Sequence, residues 1–197
     1  LKAIPEYVEL FAEAFPENPG VTVDNLASAL AAFQRTMVSN RSLYDAYARG
    51  ETEVFDDELV EGMFLFAEMG CSDCHVPPLF ESDTFANRNI EGLEWVIDDG
   101  RAEVTGSTDD IGKFRTPTLR NVFDTEPYFH NGSEKELSEA VRHELEQSDL
   151  PFTDEEAYLI YRFIDEALRD DSRSAIRPRN VPSGLPTPLD GPIFPGR

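Results

Sequence analysis

Apolar residues recur every three or four positions in several stretches of the chain, the spacing of an amphipathic helix. The first predicted helix begins at Pro5, because proline is favoured at the first helical position. Asp24 is expected to cap a second helix, and Leu43–Tyr47 predicts a short third helix that ends at Gly50. The apolar positions of the first two helices are Tyr7, Leu10, Phe11, Ala14, Phe15, Leu26, Leu30, Phe33 and Met37.

Three further helices follow in the second and third parts of the chain. Asp56 or Asp57 can cap a fourth helix, and residues 134–146 carry the apolar spacing of a fifth. A sixth helix opens with a capping box, in which Thr153 is the cap and Glu156 stands three residues later. These helices predict an all-α protein.

The rest of the chain carries no periodic pattern. One irregular stretch runs from Val76 to about Gly132, which is long for a compact domain unless a large cofactor supplies the core. Six prolines from position 178 to 195 exclude a helix at the C-terminus, so that part is extended over a surface or loose. We predict an N-terminal helical segment over 1–52, a domain over 53–170 and a proline-rich extension over 171–197.

The net charge of the chain limits the classes of molecule that it can bind. The 197 residues contain 17 Lys and Arg against 39 Asp and Glu, a formal charge of −22. Nucleic acids and anionic membrane surfaces would repel such a chain, whereas a basic partner, a cationic ligand or a salty habitat fits it. No apolar run reaches the 18 residues of a membrane span. The chain starts at Leu1 without a leader, as expected of a processed mature protein or a fragment.

The two cysteines form the clearest motif. Cys71, Cys74 and His75 make a C-x-x-C-H pattern, which is typical of covalent haem c attachment. Two thiols on one helical turn can each bond a haem vinyl group, and the histidine then lies beneath the iron. A zinc site would need His130 and His143 as well, and a redox pair or a disulfide are weaker alternatives. Because this attachment occurs outside the cytoplasm, we expect a periplasmic or otherwise exported protein.

The ligand on the second face of the iron decides between electron transfer and reactivity. His130 lies in a turn-like loop, where a hydrogen bond to a haem propionate or to backbone is favoured over ligation. His143 and the adjacent Glu144 lie in the middle of the fifth predicted helix. Met69 precedes the cysteines and belongs on the His75 side. The sequence alone does not choose among these candidates.

Several longer stretches carry a family resemblance. Residues 114–122 and 125–132 resemble the C-terminal half of bacterial dihaem cytochrome c peroxidases and their MauG-like relatives. Residues 30–37 and 42–50 are similar to the segment that precedes the second haem in that family, and residues 181–186 resemble the tail of MauG-like members. The resemblance implies a cytochrome c-like haem domain with long wrapping loops, preceded by a short helical segment.

The resemblance also implies roles for single residues. Cys71, Cys74 and His75 would bind the C-terminal, electron-transfer haem, with His75 as the proximal iron ligand. Thr125 and Pro127 would match residues that contribute oxygens to a calcium ion.

The distal ligand departs from the family pattern. His130 would match a loop histidine close to the haem, and the family's axial Met, which is Tyr in MauG, falls on Glu144. His143 would need a rotation of the helix to replace it. The expected distal ligand is therefore Glu144 or His143, and a carboxylate there would leave the haem partly open and reactive.

The N-terminal haem domain of the family does not occur in this chain. The chain is therefore expected to be a cut piece, a subunit whose other half is a separate polypeptide, or a monohaem cytochrome. We expect the electron-transfer half of a hydrogen peroxide-reducing system, with a basic cytochrome or copper protein as donor and a second haem-bearing chain or domain as acceptor. The alternatives are a stand-alone electron carrier and a one-haem peroxidase or ligand sensor with an open distal face. Trp95 is expected to anchor a loop or pack on the haem edge, with an electron relay as the alternative.

Overall fold

The structure is a computed structural model that describes residues 1–90, 98–148, 150–172 and 181–185. Trp95 and most of the proline-rich extension lie outside these residues. The chain divides into two compact units, one of which contains residues 1–38, while the other comprises residues 39–172. The boundaries predicted after residues 52 and 170 stay predictions.

Among the described residues of the unit that contains 1–38, two helices are present, α1 (Pro5–Ala14) and α2 (Val23–Arg35). Helix α1 begins at the predicted proline. The cap of α2 is Thr22, whose hydroxyl accepts a hydrogen bond from the backbone N–H of Asn25 at 3.1 Å. Asp24 lies inside the first turn, where its charge favours the helix N-terminus, so the predicted cap was wrong by two residues.

The unit of residues 39–172 is built from short helices joined by irregular chain. Its cysteine motif follows directly on one of the longer helices. The elements are α3 (Leu43–Ala48), α4 (Asp57–Glu68), α5 (Cys71–Cys74), α6 (Ala102–Thr105), α7 (Leu137–Glu146), α8 (Asp154–Arg162), a π-helical turn (Phe163–Ala167) that continues α8, and single 3-10 turns at Thr52–Val54, Thr108–Asp110 and Val122–Thr125.

The helix caps in this unit follow the sequence signals. The Asp56 carboxylate accepts a hydrogen bond from the N–H of Leu59 at 2.8 Å, which caps α4 as predicted. Thr153 and Glu156 form the predicted capping box at the start of α8, with both reciprocal hydrogen bonds present. Local side chains therefore fix where these helices begin.

Helix α7 begins three residues later than predicted. The N–H of Tyr128 donates to the carbonyl of Glu134 at 2.6 Å, and the two residues form an antiparallel bridge. This pairing holds Glu134 in an extended conformation, so the helix starts only at Leu137. Apolar spacing carries no signal for such a contact with a preceding loop.

The core forms where α4 packs across α8. A Cβ at Gly62 would collide with the carbonyl group of Leu159, so only glycine permits this close approach. Beside the crossing, the rings of Phe66, Phe80 and Phe163 pack with centroids 5.4–6.1 Å apart. All three side chains are buried, and they join helices to the irregular chain after the cysteine motif.

A small antiparallel sheet lies in the stretch predicted to be irregular. Strand β1 (Phe85–Ala86) pairs with β2 (Phe114–Arg115). Strands of two residues are too short to show an alternating pattern, so the sequence did not predict them. The largely helical architecture fits a cytochrome c-like fold, and the all-α prediction was incomplete by this sheet. None of the helices in the described ranges is long and apolar enough to span a bilayer.

Candidate haem site

The cysteine motif forms one tight turn at the end of α4. Gly70 adopts a left-handed conformation with φ of +78°, which reverses the chain direction between α4 and α5. Cys71 and Cys74 lie on the single turn of α5, and the N–H of His75 donates to the carbonyl of Cys71 at 2.9 Å. Both thiols are free, so the disulfide alternative is not formed. Burial raises the pKa of the Cys71 thiol to about 11, which keeps the thiol protonated.

The His75 imidazole is held with one nitrogen available. Its Nδ1 lies 3.1 Å from the carbonyl oxygens of both Phe80 and Pro117. Carbonyls only accept, so Nδ1 carries the proton and Nε2 keeps its lone pair. Burial lowers the pKa of His75, although its backbone contacts act against this, and the ring is therefore held neutral. A neutral imidazole whose second nitrogen donates to backbone is the arrangement of a metal-bound histidine.

The motif opens onto a cavity of about 950 Å³. Its wall carries both cysteines, His75 and a set of apolar side chains contributed by the core helices and the wrapping loops. That volume is in the range of cofactor sites. An apolar cavity with two free thiols and an oriented imidazole on its wall fits haem c. The apolar wall includes Phe66, Phe114, Leu119, Phe129, Leu137, Val141, Ile160 and Ile164.

His130 lies on the wall of this cavity, near the place predicted for it. Its ring stacks on Phe114 with centroids 3.8 Å apart and planes 10° from parallel. This contact uses the face of the imidazole. The favoured hydrogen bond of His130 to a haem propionate or to backbone, and the alternative of iron ligation, both stay predictions.

Thr125 and Pro127 also line the cavity. The Thr125 hydroxyl donates to the carbonyl of Val122 at 2.8 Å, which closes the 3-10 turn there. Calcium binding at these residues stays a prediction. Within the parts of the chain that the structure describes, no three His, Cys, Asp or Glu side chains form a group able to hold a metal ion, so the zinc alternative has no ligand set.

The two predicted distal ligands are both tied to Arg88. Glu144 lines the cavity, and its carboxylate accepts a hydrogen bond from Nε of Arg88 at 2.6 Å. The His143 imidazole packs edge-on against Phe129, and its Nε2 donates to the Arg88 carbonyl at 2.9 Å. Sequence reasoning missed Arg88, because 56 residues separate it from Glu144 and it belongs to no recognisable motif.

Comparison with known proteins agrees with this geometry. The sequence model of the family described as "Di-haem cytochrome c peroxidase" matches residues 1–53. The chain is 31% identical over 193 residues to the cytochrome c551 peroxidase of Nitrosomonas europaea, covering 96% of this chain and 57% of that protein. It is 35% identical over 147 residues to the cytochrome c551 peroxidase of Pseudomonas aeruginosa, covering 72% of this chain and 42% of that protein.

MauG proteins are similar as well. The chain is 32% identical over 146 residues to the methylamine utilization protein MauG of Methylorubrum extorquens, covering 73% of this chain and 40% of that protein. A crystal structure of a MauG-like protein associated with microbial copper homeostasis superposes with a TM-score of 0.69 at 26% identity, over 85% of this chain and 59% of that one. The predicted resemblance is confirmed, and the chain spans about half the length of these relatives.

Proposed function

Because this chain is related to the bacterial di-haem cytochrome c peroxidases and MauG proteins, we propose that residues 39–172 are a haem c domain that transfers electrons in a peroxide-reducing system. The carrying observation is the placement of Cys71, Cys74 and His75 on the wall of one apolar cavity. The relatives named as peroxidases are oxidoreductases, which supports a redox role for this chain.

The residues of the chain supply attachment and orientation. The two thiols would bond the vinyl groups, and His75 would ligate the iron through Nε2 while Phe80 and Pro117 hold its other nitrogen. Bound haem supplies one-electron chemistry at its iron. The apolar wall excludes water, which limits solvent rearrangement when the charge of the site changes. Attachment through C-x-x-C-H supports an exported, periplasmic location.

Charge supports a basic electron donor. A formal charge of −22 creates a negative potential around the protein, which raises its rate of encounter with a cationic partner. The proposed donor is a small basic cytochrome or copper protein. Salt screens this attraction, so the association rate should fall as ionic strength rises.

The exposed side of α2 supports a second haem-bearing domain or chain as partner. This helix belongs to the residues 1–53 that match the di-haem family model, and it exposes a stripe of apolar side chains. The chain covers 57% of its relative from Nitrosomonas europaea, which leaves length in that protein for a further domain. We propose that this domain packs on the stripe, which is formed by Leu26, Leu30 and Phe33 of α2 and continues to Met37 just beyond the helix.

A second candidate function is a one-haem site that binds small ligands. The engagement of both Glu144 and His143 by Arg88 favours it, because neither predicted distal ligand is unpartnered. A stand-alone electron carrier would need only the haem site itself. No contact in the described residues favours this function over a role in a peroxide-reducing system.

The test is reduction of the haem-loaded chain by a basic cytochrome in stopped flow. We expect a second-order rate that falls at least tenfold between low and high salt, since opposite charges steer the encounter. We expect slow peroxide turnover by the chain alone. A rate independent of salt would contradict the proposed donor, and fast peroxide turnover would contradict an electron-transfer role.

A further inference from the structure

The side of the cavity formed by α7 is held by an arginine from the loop after β1. Arg88 contacts Glu144 twice, through Nε to the carboxylate at 2.6 Å and through Nη2 to the backbone carbonyl at 3.1 Å. A guanidinium that donates to both the side chain and the main chain of one residue fixes the direction of that side chain. Glu144 is therefore held by an ion pair on the cavity wall.

Arg88 is itself held against the same helix. Its carbonyl accepts from Nε2 of His143 at 2.9 Å, and the neighbouring Asn89 donates through Nδ2 to the side chain of Gln147 at 2.7 Å. Two residues of α7 and the residue at its C-terminal cap, Gln147, thus hold residues 88 and 89 in place. The Arg88–Glu144 ion pair is therefore held by several contacts and does not depend on a single surface contact.

These contacts of Arg88 affect which groups can reach the sixth coordination position of a haem in this cavity. A carboxylate that neutralises a guanidinium is a weaker donor to iron than a free one, and the ring nitrogen of His143 that donates to Arg88 is not available as a ligand. His130, which lines the cavity, is stacked on Phe114. Met69 stands two residues before Cys71, at the end of the helix that leads into the cysteine motif, so we expect it on the same side as His75.

We propose that Arg88 is a positioning residue that holds Glu144 off the iron and so keeps the second face of the haem open to a small exogenous ligand. This inference rests on the proposed haem c site. Arg88 uses two of its five N–H donors on Glu144, so other N–H groups can donate to the bound ligand. The site therefore favours small anionic ligands whose outer atom accepts a hydrogen bond, the class to which cyanide and azide belong.

The experiment measures cyanide binding and the electron paramagnetic resonance spectrum of the oxidised, haem-loaded chain. The wild type should show a high-spin ferric signal and bind cyanide. Arg88→Gln releases Glu144 to the iron, so cyanide affinity should fall about tenfold, equal to about 1.4 kcal/mol, and the high-spin signal should change. Arg88→Gln combined with Glu144→Gln should recover most of that affinity, because the competing carboxylate is gone.

The matched control for Glu144→Gln is Glu146→Gln, which also removes one negative charge but from an exposed residue of the same helix. Its cyanide affinity should stay within twofold of the wild-type value. A wild-type haem that is wholly low-spin and does not bind cyanide overturns the inference, as does an Arg88→Gln variant with unchanged affinity. If Arg88→Gln does not fold, Glu144→Gln alone tests the inference. Cyanide binding that is unchanged or tighter than in the wild type supports it, and weaker binding overturns it. A chain without covalent haem instead contradicts the proposed function, which the haem content of each sample reports separately.

Discussion

Arg120 and Asp45 form a two-pronged ion pair in the interior of the unit of residues 39–172. The guanidinium donates through Nη1 and Nη2 to the two carboxylate oxygens at 2.9 and 2.7 Å, and both side chains are largely buried. Nε of Arg120 also donates to the carbonyl of Pro78 at 2.7 Å. Burial acts to raise the pKa of Asp45, but hydrogen bonds from Arg120 and Ser42 outweigh it and lower the pKa. The pair ties α3 to the loop that follows Pro117, whose carbonyl contacts His75.

Removing this guanidinium should unfold the domain more easily. Arg120→Met leaves the Asp45 carboxylate buried without its partner, so we expect the free energy of unfolding to fall by about 3–5 kcal/mol. Urea denaturation followed by circular dichroism measures it. Arg49→Met is the control, because Arg49 pairs with Glu51 at an exposed position, where such a pair contributes about 0–1 kcal/mol. Equal losses in the two variants would contradict the structural role of Arg120.

The crossing of α4 and α8 predicts an unusual effect at Gly62. Replacing a glycine inside a helix by alanine ordinarily stabilises a protein by about 1 kcal/mol. Here the added Cβ meets the Leu159 carbonyl and lies 3.1 Å from the Cβ of Phe163, so we expect Gly62→Ala to lower stability by about 1–3 kcal/mol. Thermal unfolding reports the sign, and Glu61→Ala at the exposed neighbouring position should be close to neutral. A more stable Gly62→Ala protein would show that the helices do not approach this closely.

The carboxylate of Asp170 predicts a loss of stability in acid. It accepts hydrogen bonds from the N–H groups of Asn40 and Arg41 at 2.8 and 2.9 Å and from Ser172. Burial acts to raise the pKa of Asp170, but these hydrogen bonds outweigh it and lower the pKa to about 2 from 3.8. A depressed pKa stabilises the fold above the unfolded-state value, and that contribution of about 2 kcal/mol is lost as pH falls from about 5 toward 2.

The measurement is the free energy of unfolding of wild type and Asp170→Asn at several pH values. The difference between them should be largest above pH 5 and should shrink toward pH 2. Asp109→Asn, at an exposed position, should show no comparable difference. A gap between wild type and Asp170→Asn that stays constant from pH 6 to pH 2 would contradict the role of the carboxylate charge.

Signals that lie close together in the sequence predicted most of the helices and the attachment motif. The caps at Asp56 and Thr153 and the C-x-x-C-H spacing need only a few neighbouring residues, so one sequence suffices to find them. Contacts between distant residues were not predictable in this way. The link of Arg88 to Glu144 and the late start of α7 depend on how loops return to a helix, which apolar spacing does not encode.

Haem content and intact mass of the purified chain decide whether Cys71 and Cys74 carry covalent haem. We expect one haem per chain, a pyridine haemochrome spectrum of the c type, and a shifted spectrum in Cys71→Ser or Cys74→Ser, where one thioether bond is lost. His75→Ala should lose the iron ligand that Phe80 and Pro117 orient. A wild-type chain that is produced with a working haem-attachment system and still carries two free thiols and no haem would rule out the proposed haem c site.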